Sequence, residues 1–244
     1  MGHDNGQTML HKFRDTYLPA IAARLATDNP GFDFTNDEIF GMQELCGFET
    51  TVRGSSPWCD VFTHSEWRSF EYARDVLHYY RSGPGTPYSR AMGWLWLNAT
   101  ANLLVEGPLA AGPLYFSFVH DGDIMPMLAA LELFKDTEDL PVDWIAHRRN
   151  WKTSQVAPMG GRILLERMAC RAGSYVRFNV NDGIVPLKGC SDGPGSSCEL
   201  STFASLVSAH GDAAGDFRMV CGLGDDAPSR LTFLRQPGFP SRHA

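Results

Sequence analysis

Leu114-Tyr-Phe-Ser-Phe-Val-His120-Asp121-Gly-Asp123-Ile-Met-Pro-Met-Leu-Ala-Ala-Leu131 decides how this chain is read. Leu114 to Val119 are aromatic or β-branched apart from Leu114 and one serine, which predicts a buried strand. The polar run His120-Asp121-Gly122-Asp123 follows at once. Ile124, Leu128 and Leu131 then recur at helical spacing, with Met127 and Ala130 filling the same face and the helix reaching about Phe134. A histidine and an aspartate therefore stand between the end of a strand and the start of a helix. Ligands of open α/β sheets bind at such junctions, and the N–H groups of a helix start favour an anion, phosphate above all. A His-Asp dipeptide is a weak signal alone; its place gives it weight.

Further runs extend the pattern: Leu45-Cys-Gly-Phe-Glu-Thr50, Ser56-Pro-Trp-Cys-Asp-Val-Phe-Thr-His-Ser-Glu-Trp67 and Tyr79-Tyr-Arg-Ser-Gly-Pro-Gly85. Pro158-Met-Gly-Gly-Arg162, Val180-Asn-Asp-Gly-Ile-Val-Pro186 and Gly193-Pro-Gly-Ser-Ser-Cys198 follow. Together with Phe118-Val-His-Asp-Gly-Asp123 they resemble the histidine acid phosphatases, most of all fungal secreted acid phosphatases and B-type phytases. The family's other signature, Arg-His-Gly-x-Arg-x-Pro, carries its nucleophilic histidine and is absent. Ala209-His210-Gly211 lacks both arginines and lies in a helical region. The chain is thus read as the C-terminal part of such an enzyme: a helical lobe plus half of an α/β sheet domain, the central strand lying elsewhere.

Composition sets outer bounds. The 244 residues are 43% hydrophobic and 20% charged, ample for a core. A net charge of −7 without a basic run argues against nucleic acid or anionic membrane as partner. No apolar stretch approaches the roughly 18 residues of a membrane span, and Met1-Gly-His-Asp-Asn-Gly-Gln-Thr8 lacks the pattern of a secretory signal.

The cysteines nevertheless suit a secreted protein. Cys46 and Cys59 bracket a Gly/Ser/Pro-containing loop, and Cys190 and Cys198 bracket Ser-Asp-Gly-Pro-Gly-Ser-Ser. Closing a loop of about 15 residues is worth roughly 3 kcal/mol in the entropy model. Buried free thiols remain the alternative, and no pair has the close spacing of a zinc knuckle. The resemblance implies the pairs Cys46–Cys59 and Cys190–Cys198, and upstream partners for Cys170 and Cys221. Asn98-Ala99-Thr100 is a glycosylation sequon.

Along the chain, residues 1–8 are read as disordered, and Leu18, Ile21 and Leu25 as the stripe of a helix with Pro19 in its first turn. Thr35-Asn-Asp-Glu38 and Thr63-His-Ser-Glu66 are capping boxes. The first opens a helix with Ile39, Met42 and Leu45 on its apolar face, and the second opens the longest helix, with Trp67, Phe70, Leu77 and Tyr80. A helix over 89–105 carries Met92, Trp96, Ala99 and Leu103 toward the core. Strands are expected over 162–169, 175–179 and 184–187, the last two joined by Asn181-Asp-Gly183. A final helix holds Leu200, Phe203, Leu206 and Val207. The domain division is 1–88, helical, and 89–244, α/β. His64 and His78 read as packing or surface residues, and Arg148, Arg149 and Lys152 as surface charges. Arg53 and Glu49 stand in the first cysteine loop, where they could overhang a cleft.

Phosphate-ester hydrolysis needs a nucleophile, positive charge around the phosphoryl oxygens and a proton for the leaving oxygen. The resemblance implies a phosphohistidine intermediate, Asp121 as general acid and His120 as a phosphate contact, with Asp123 read as the N-cap of the helix. It implies phytate or general organic phosphates as substrate, no cofactor or metal, and the possibility of a homo-oligomer. A non-catalytic phosphate-ester-binding product is the alternative. A metal-dependent His-Asp hydrolase fits poorly, because its His-Asp pair sits within helices.

Overall fold

The computed structural model describes residues 2–231 and Leu234. Helices α1 (Gly2–Asp28), α2 (Asn36–Arg53), α3 (His64–Arg81), α4 (Pro87–Glu106) and α5 (Asp121–Ala130) come first, with a 3-10 turn at Pro57–Asp60. A single turn, α6 (Thr153–Val156), precedes strands β1 (Ile163–Cys170), β2 (Gly173–Val180), β3 (Gly183–Ile184) and β4 (Cys198–Glu199). Helices α7 (Leu200–Ala214) and α8 (Phe217–Cys221) follow. The fold is mixed, helices with an antiparallel sheet. It divides into two compact units: the chain up to Arg81 together with Asp136–Thr153, and Ser82–Lys135 together with the chain from Ser154 on.

The first unit is built on α1, which lies along α3. Leu10, Phe13, Leu18, Ile21 and Leu25, three to five residues apart, are all buried. That stripe starts about two turns before the sequence suggested, and residues 2–8 are helical where disorder was expected: helix begins at Gly2, and Asn5 Nδ2 reaches the Tyr80 carbonyl at 3.4 Å. A Cβ at Gly6 would press on Arg81 and the Leu77 carbonyl, so glycine sets this close approach. Pro19 lies deep inside the helix rather than in its first turn, and α1, not α3, is the longest. Both capping boxes form. Glu66, reaching back to Thr63 N, also takes two 2.8 Å bonds from Arg24 of α1. On α2 the buried residues are Ile39, Phe40 and Gln43, whereas Leu45 is exposed and Met42 partly covered. The helix runs on through Cys46 to Arg53, so the first cysteine loop is half helical; Cys46 and Cys59 are bonded, their Cα atoms 4.9 Å apart.

Residues 136–153 have little regular structure and are held to α3 by polar groups. The hydroxyls of Tyr72, Tyr79 and Tyr80 donate to the Pro141 carbonyl (2.8 Å), Asp139 Oδ1 (2.8 Å) and the Leu140 carbonyl (2.7 Å). Trp151 is fully buried, edge-on to Tyr79. Asp75, also fully buried, accepts from Arg149 Nε at 2.5 Å and Thr153 N at 2.6 Å. The expected surface arginine, Arg149, is therefore a core residue, its guanidinium 4.9 Å from the centre of the Tyr72 ring. A carboxylate sunk in an apolar helix face is costly unless it is paired and hydrogen-bonded, and Arg149 and Thr153 N supply both.

In the second unit α4 is the post on which α5 and α7 pack. Gly93 makes the first crossing possible, because a Cβ there would overlap the Pro126 carbonyl of α5. At the second, Gly211 lies flat against the Trp94 indole, whose Nε1 donates to the Val207 carbonyl at 2.9 Å. The buried α4 side chains include Ala91, Leu95, Leu97 and Ala101; Leu103 belongs to them as expected, but Met92 is exposed. Two helices packed on α4 bury more than one stripe, which a single-face reading misses.

β1 pairs with β2 from Ile163↔Val180 to Cys170↔Gly173. The Asn181-Asp182 turn has both residues at positive φ, 50° and 68°, and joins β2 to β3 as the sequence predicts. β4 adds to β2, and Cys198 within it is bonded to Cys190, with Cα atoms 4.8 Å apart. Val176, Phe178 and Val180 of β2 are buried, as are Phe203 and Val207 of α7.

Candidate active site

Residues 114–119 are not the buried strand that their composition suggests. They carry no strand assignment and no partner strand among the described residues, and Phe116 and Phe118 are 75% and 95% exposed. The apolar pattern is that of a central strand, and a strand needs a neighbour to satisfy its backbone.

Of the expected strand-to-helix junction the helix start is present, with His120 and Asp121 at its head. His120 is the N-cap of α5, with φ −87° and ψ 167°. Asp121 opens the helix, and its Oδ1 accepts from Gly122 N at 2.8 Å. Asp123 is one correction here: it stands at the third helical position, and its Oδ2 accepts from His120 N at 3.0 Å. Its carboxylate thus closes the helix start from inside instead of capping it. Another correction concerns length, since α5 ends at Ala130. Pro126 within α5 cannot donate to the Gly122 carbonyl, which loosens the first turn. Both His120 and Asp121 are exposed, so solvent or a ligand can reach the pair. The crossing at Gly93 fixes the helix that presents them.

In this unit Arg90 bonds Glu132, Arg162 bonds Asp182, Arg177 bonds Glu166, and Arg167 donates to the Leu104 carbonyl. What stands at the head of α5 is a carboxyl, an imidazole and a helix start. Among the described residues no three or more His, Cys, Asp or Glu side chains cluster to hold a metal.

Other candidates fall elsewhere. Arg53 pairs with Glu49 along α2 at 3.6 Å, and Glu49 also accepts from Ser56 Oγ. His78 is buried, its Nε2 3.3 Å from Arg74 Nη2. Asn98 lies in the middle of α4 and is half-buried. Cys170 is exposed and Cys221 half-buried, both free. The Asp75–Arg149 pair escaped the sequence reading; an aspartate between Tyr72, Ala73, Val76 and Leu77 was its available signal.

The chain is similar to known proteins in sequence and in fold. The family described as "Histidine phosphatase superfamily (branch 2)" matches residues 3–181. Acid phosphatase PHO1 of Komagataella pastoris is 40% identical over 237 residues, 92% of this chain and 50% of the relative. Phytase PHO112 of Candida albicans is 37% identical over 231 residues, 94% of this chain and again 50% of the relative. The crystal structure of the phytase from D. castellii superposes with a TM-score of 0.86 at 31% identity, covering 95% of this chain and 50% of that one. The chain thus spans about half the length of the proteins it matches. With the family's match covering the helical unit, the His120-Asp121 junction and the first two strands, this chain belongs to branch 2 of the histidine phosphatase superfamily.

Proposed function

We propose that this chain carries the general-acid half-site of a phosphomonoester hydrolase of the acid phosphatase and phytase type. The observation that carries the reading is the exposed His120-Asp121 pair at the head of α5, within the family's match. Asp121 gives its proton to the leaving alcohol oxygen, and His120 contacts the phosphoryl oxygens beside the helix start. A histidine supplied from another part of the enzyme attacks phosphorus and forms a phosphohistidine, which water then hydrolyses. A carboxyl is an acid only while protonated, so the reaction runs at low pH. The substrate class is phytate or general organic phosphates, as the names of the relatives suggest. Two disulfides favour an oxidising compartment, hence secretion.

In the full-length enzyme, Asp121→Asn should slow hydrolysis of alkyl phosphates about a hundredfold or more. p-Nitrophenyl phosphate, whose leaving group barely needs a proton, should lose far less. Equal losses on the two substrates would remove Asp121 from this role.

A second reading, a non-catalytic fragment or phosphate-ester-binding product, is favoured by the missing Arg-His-Gly motif. The solvent-facing aromatic run 114–119 and the free Cys170 and Cys221 also point to partners that the described chain does not contain. Expressed from Met1 to Ala244 alone, the chain should show no phosphatase activity, bind hydrophobic dyes and unfold without a cooperative transition. A soluble, cooperatively melting product that cleaves p-nitrophenyl phosphate at acid pH would refute this.

A further inference from the structure

Between α1, α2 and α3 lies a hollow of about 290 Å³, lined by Gln7, Arg14, Asp37, Gly41, Glu44 and Arg74, with Leu10, Phe40 and Leu77 at its apolar side. It lies in the helical unit and makes no use of the His-Asp junction. Arg14 is 6% exposed, and its guanidinium covers the Phe40 ring at 4.3 Å. One bond, Nη2 to Asp37 Oδ1, ties it down, while its buried Nε has no partner among the described residues. Arg74 donates from Nη1 to Glu44 at 3.1 Å and has Nη2 3.3 Å from His78 Nε2. Each guanidinium has five N–H donors, so the donors exceed the acceptors that reach them. Asp37, whose side chain is 85% exposed, can turn into solvent at little cost.

Gly41 is a second, independent sign. It stands inside α2, where glycine costs about 1 kcal/mol of helix stability relative to alanine. Close packing does not require it, because a Cβ there would meet nothing within 4 Å. Any larger side chain would instead enter the hollow. A space left open at a cost, against a buried and under-bonded arginine, is the makeup of a ligand site.

We propose that this hollow binds a tetrahedral oxyanion, either inorganic phosphate or the phosphate group of an ester, between Arg14 and Arg74. Four acceptor oxygens match the surplus of donors, and charge-assisted bonds to guanidinium groups are the strong ones. Asp37 and Glu44, now paired with the two arginines, yield their bonds when the anion enters.

Calorimetric titration of the full-length protein with inorganic phosphate tests this. A binding component should appear that Arg74→Gln weakens about tenfold or more. Gly41→Leu should abolish it without loss of fold, since leucine is the better helix former. The component should persist in His120→Ala, which separates it from the proposed active site. Glycerol 2-phosphate titrated into Asp121→Asn, which should cleave alkyl phosphates only slowly, distinguishes the sources: exclusion assigns the site to free phosphate, and equal binding assigns it to the phosphate group of esters. Phosphate binding that vanishes wholly in His120→Ala, or that is indifferent to both Arg74→Gln and Gly41→Leu, would overturn the proposal.

Discussion

Replacing Arg149 by alanine in the full-length protein should cost about 3–5 kcal/mol of stability, the expected penalty for leaving one member of a buried ion pair alone. Asp75 has no exposed surface, and apart from Arg149 its carboxylate accepts from Thr153 N, with Glu71 adding a like charge nearby. Burial pushes its pKa from 3.8 up to about 6, against the opposing pull of the Arg149 guanidinium. A carboxyl raised in this way favours folding below pH 3.8, and that contribution is lost as the pH climbs through about 6. The Arg149→Ala penalty should accordingly be largest above pH 6 and shrink in acid, where Asp75 takes up a proton and no longer needs a cation. Denaturant midpoints at roughly pH 4.5 and roughly pH 7.5, either side of the folded-state value of about 6, would show the trend. A penalty that does not change with pH would contradict the assignment.

Valine at position 93 should be nearly as damaging, about 3 kcal/mol, because its Cβ meets carbonyl backbone of α5 instead of a movable side chain. The damage reaches chemistry as well, since α5 presents His120 and Asp121. Gly41→Ala is the matched control: it lies in a helix, meets no neighbour and should raise stability by about 0.5–1 kcal/mol. Thermal melts of the two variants should therefore move in opposite directions. If Gly93→Val melts like the parent, the α4–α5 crossing is not what holds the motif in place.

Local chemistry made much of this fold readable. The capping boxes at Thr35 and Thr63, the Asn181-Asp182 turn and the helix of Phe203 and Val207 depend on residues within a few positions of each other. The helix start at His120-Asp121 was legible for the same reason, but the role of Asp123 was not, because N-cap and third-position aspartates look alike until the helix start is fixed. Errors gathered where distant residues decide. Leu114 to Val119 have the side chains of a buried strand but lack a neighbour here, and strand formation depends on that neighbour more than on propensity. Arg149 looked like a surface charge because its partner is 74 residues away. Helix α4 showed one apolar stripe to a single-face reading, while in the structure both α5 and α7 pack on it.

That separation has a consequence for synthesis. The ribosome delivers Asp75 on α3 long before Arg149, and at about 5–20 residues per second the interval is roughly 4–15 s. Throughout it the helical unit has a carboxylate at its centre without the matching cation, and Tyr72, Tyr79 and Tyr80 without the carbonyl and carboxylate oxygens of residues 139–141. The nascent α1–α3 bundle cannot close on its own. It must wait, with its polar face open to water or to a chaperone, until the segment that ends at Thr153 leaves the exit tunnel and seals it.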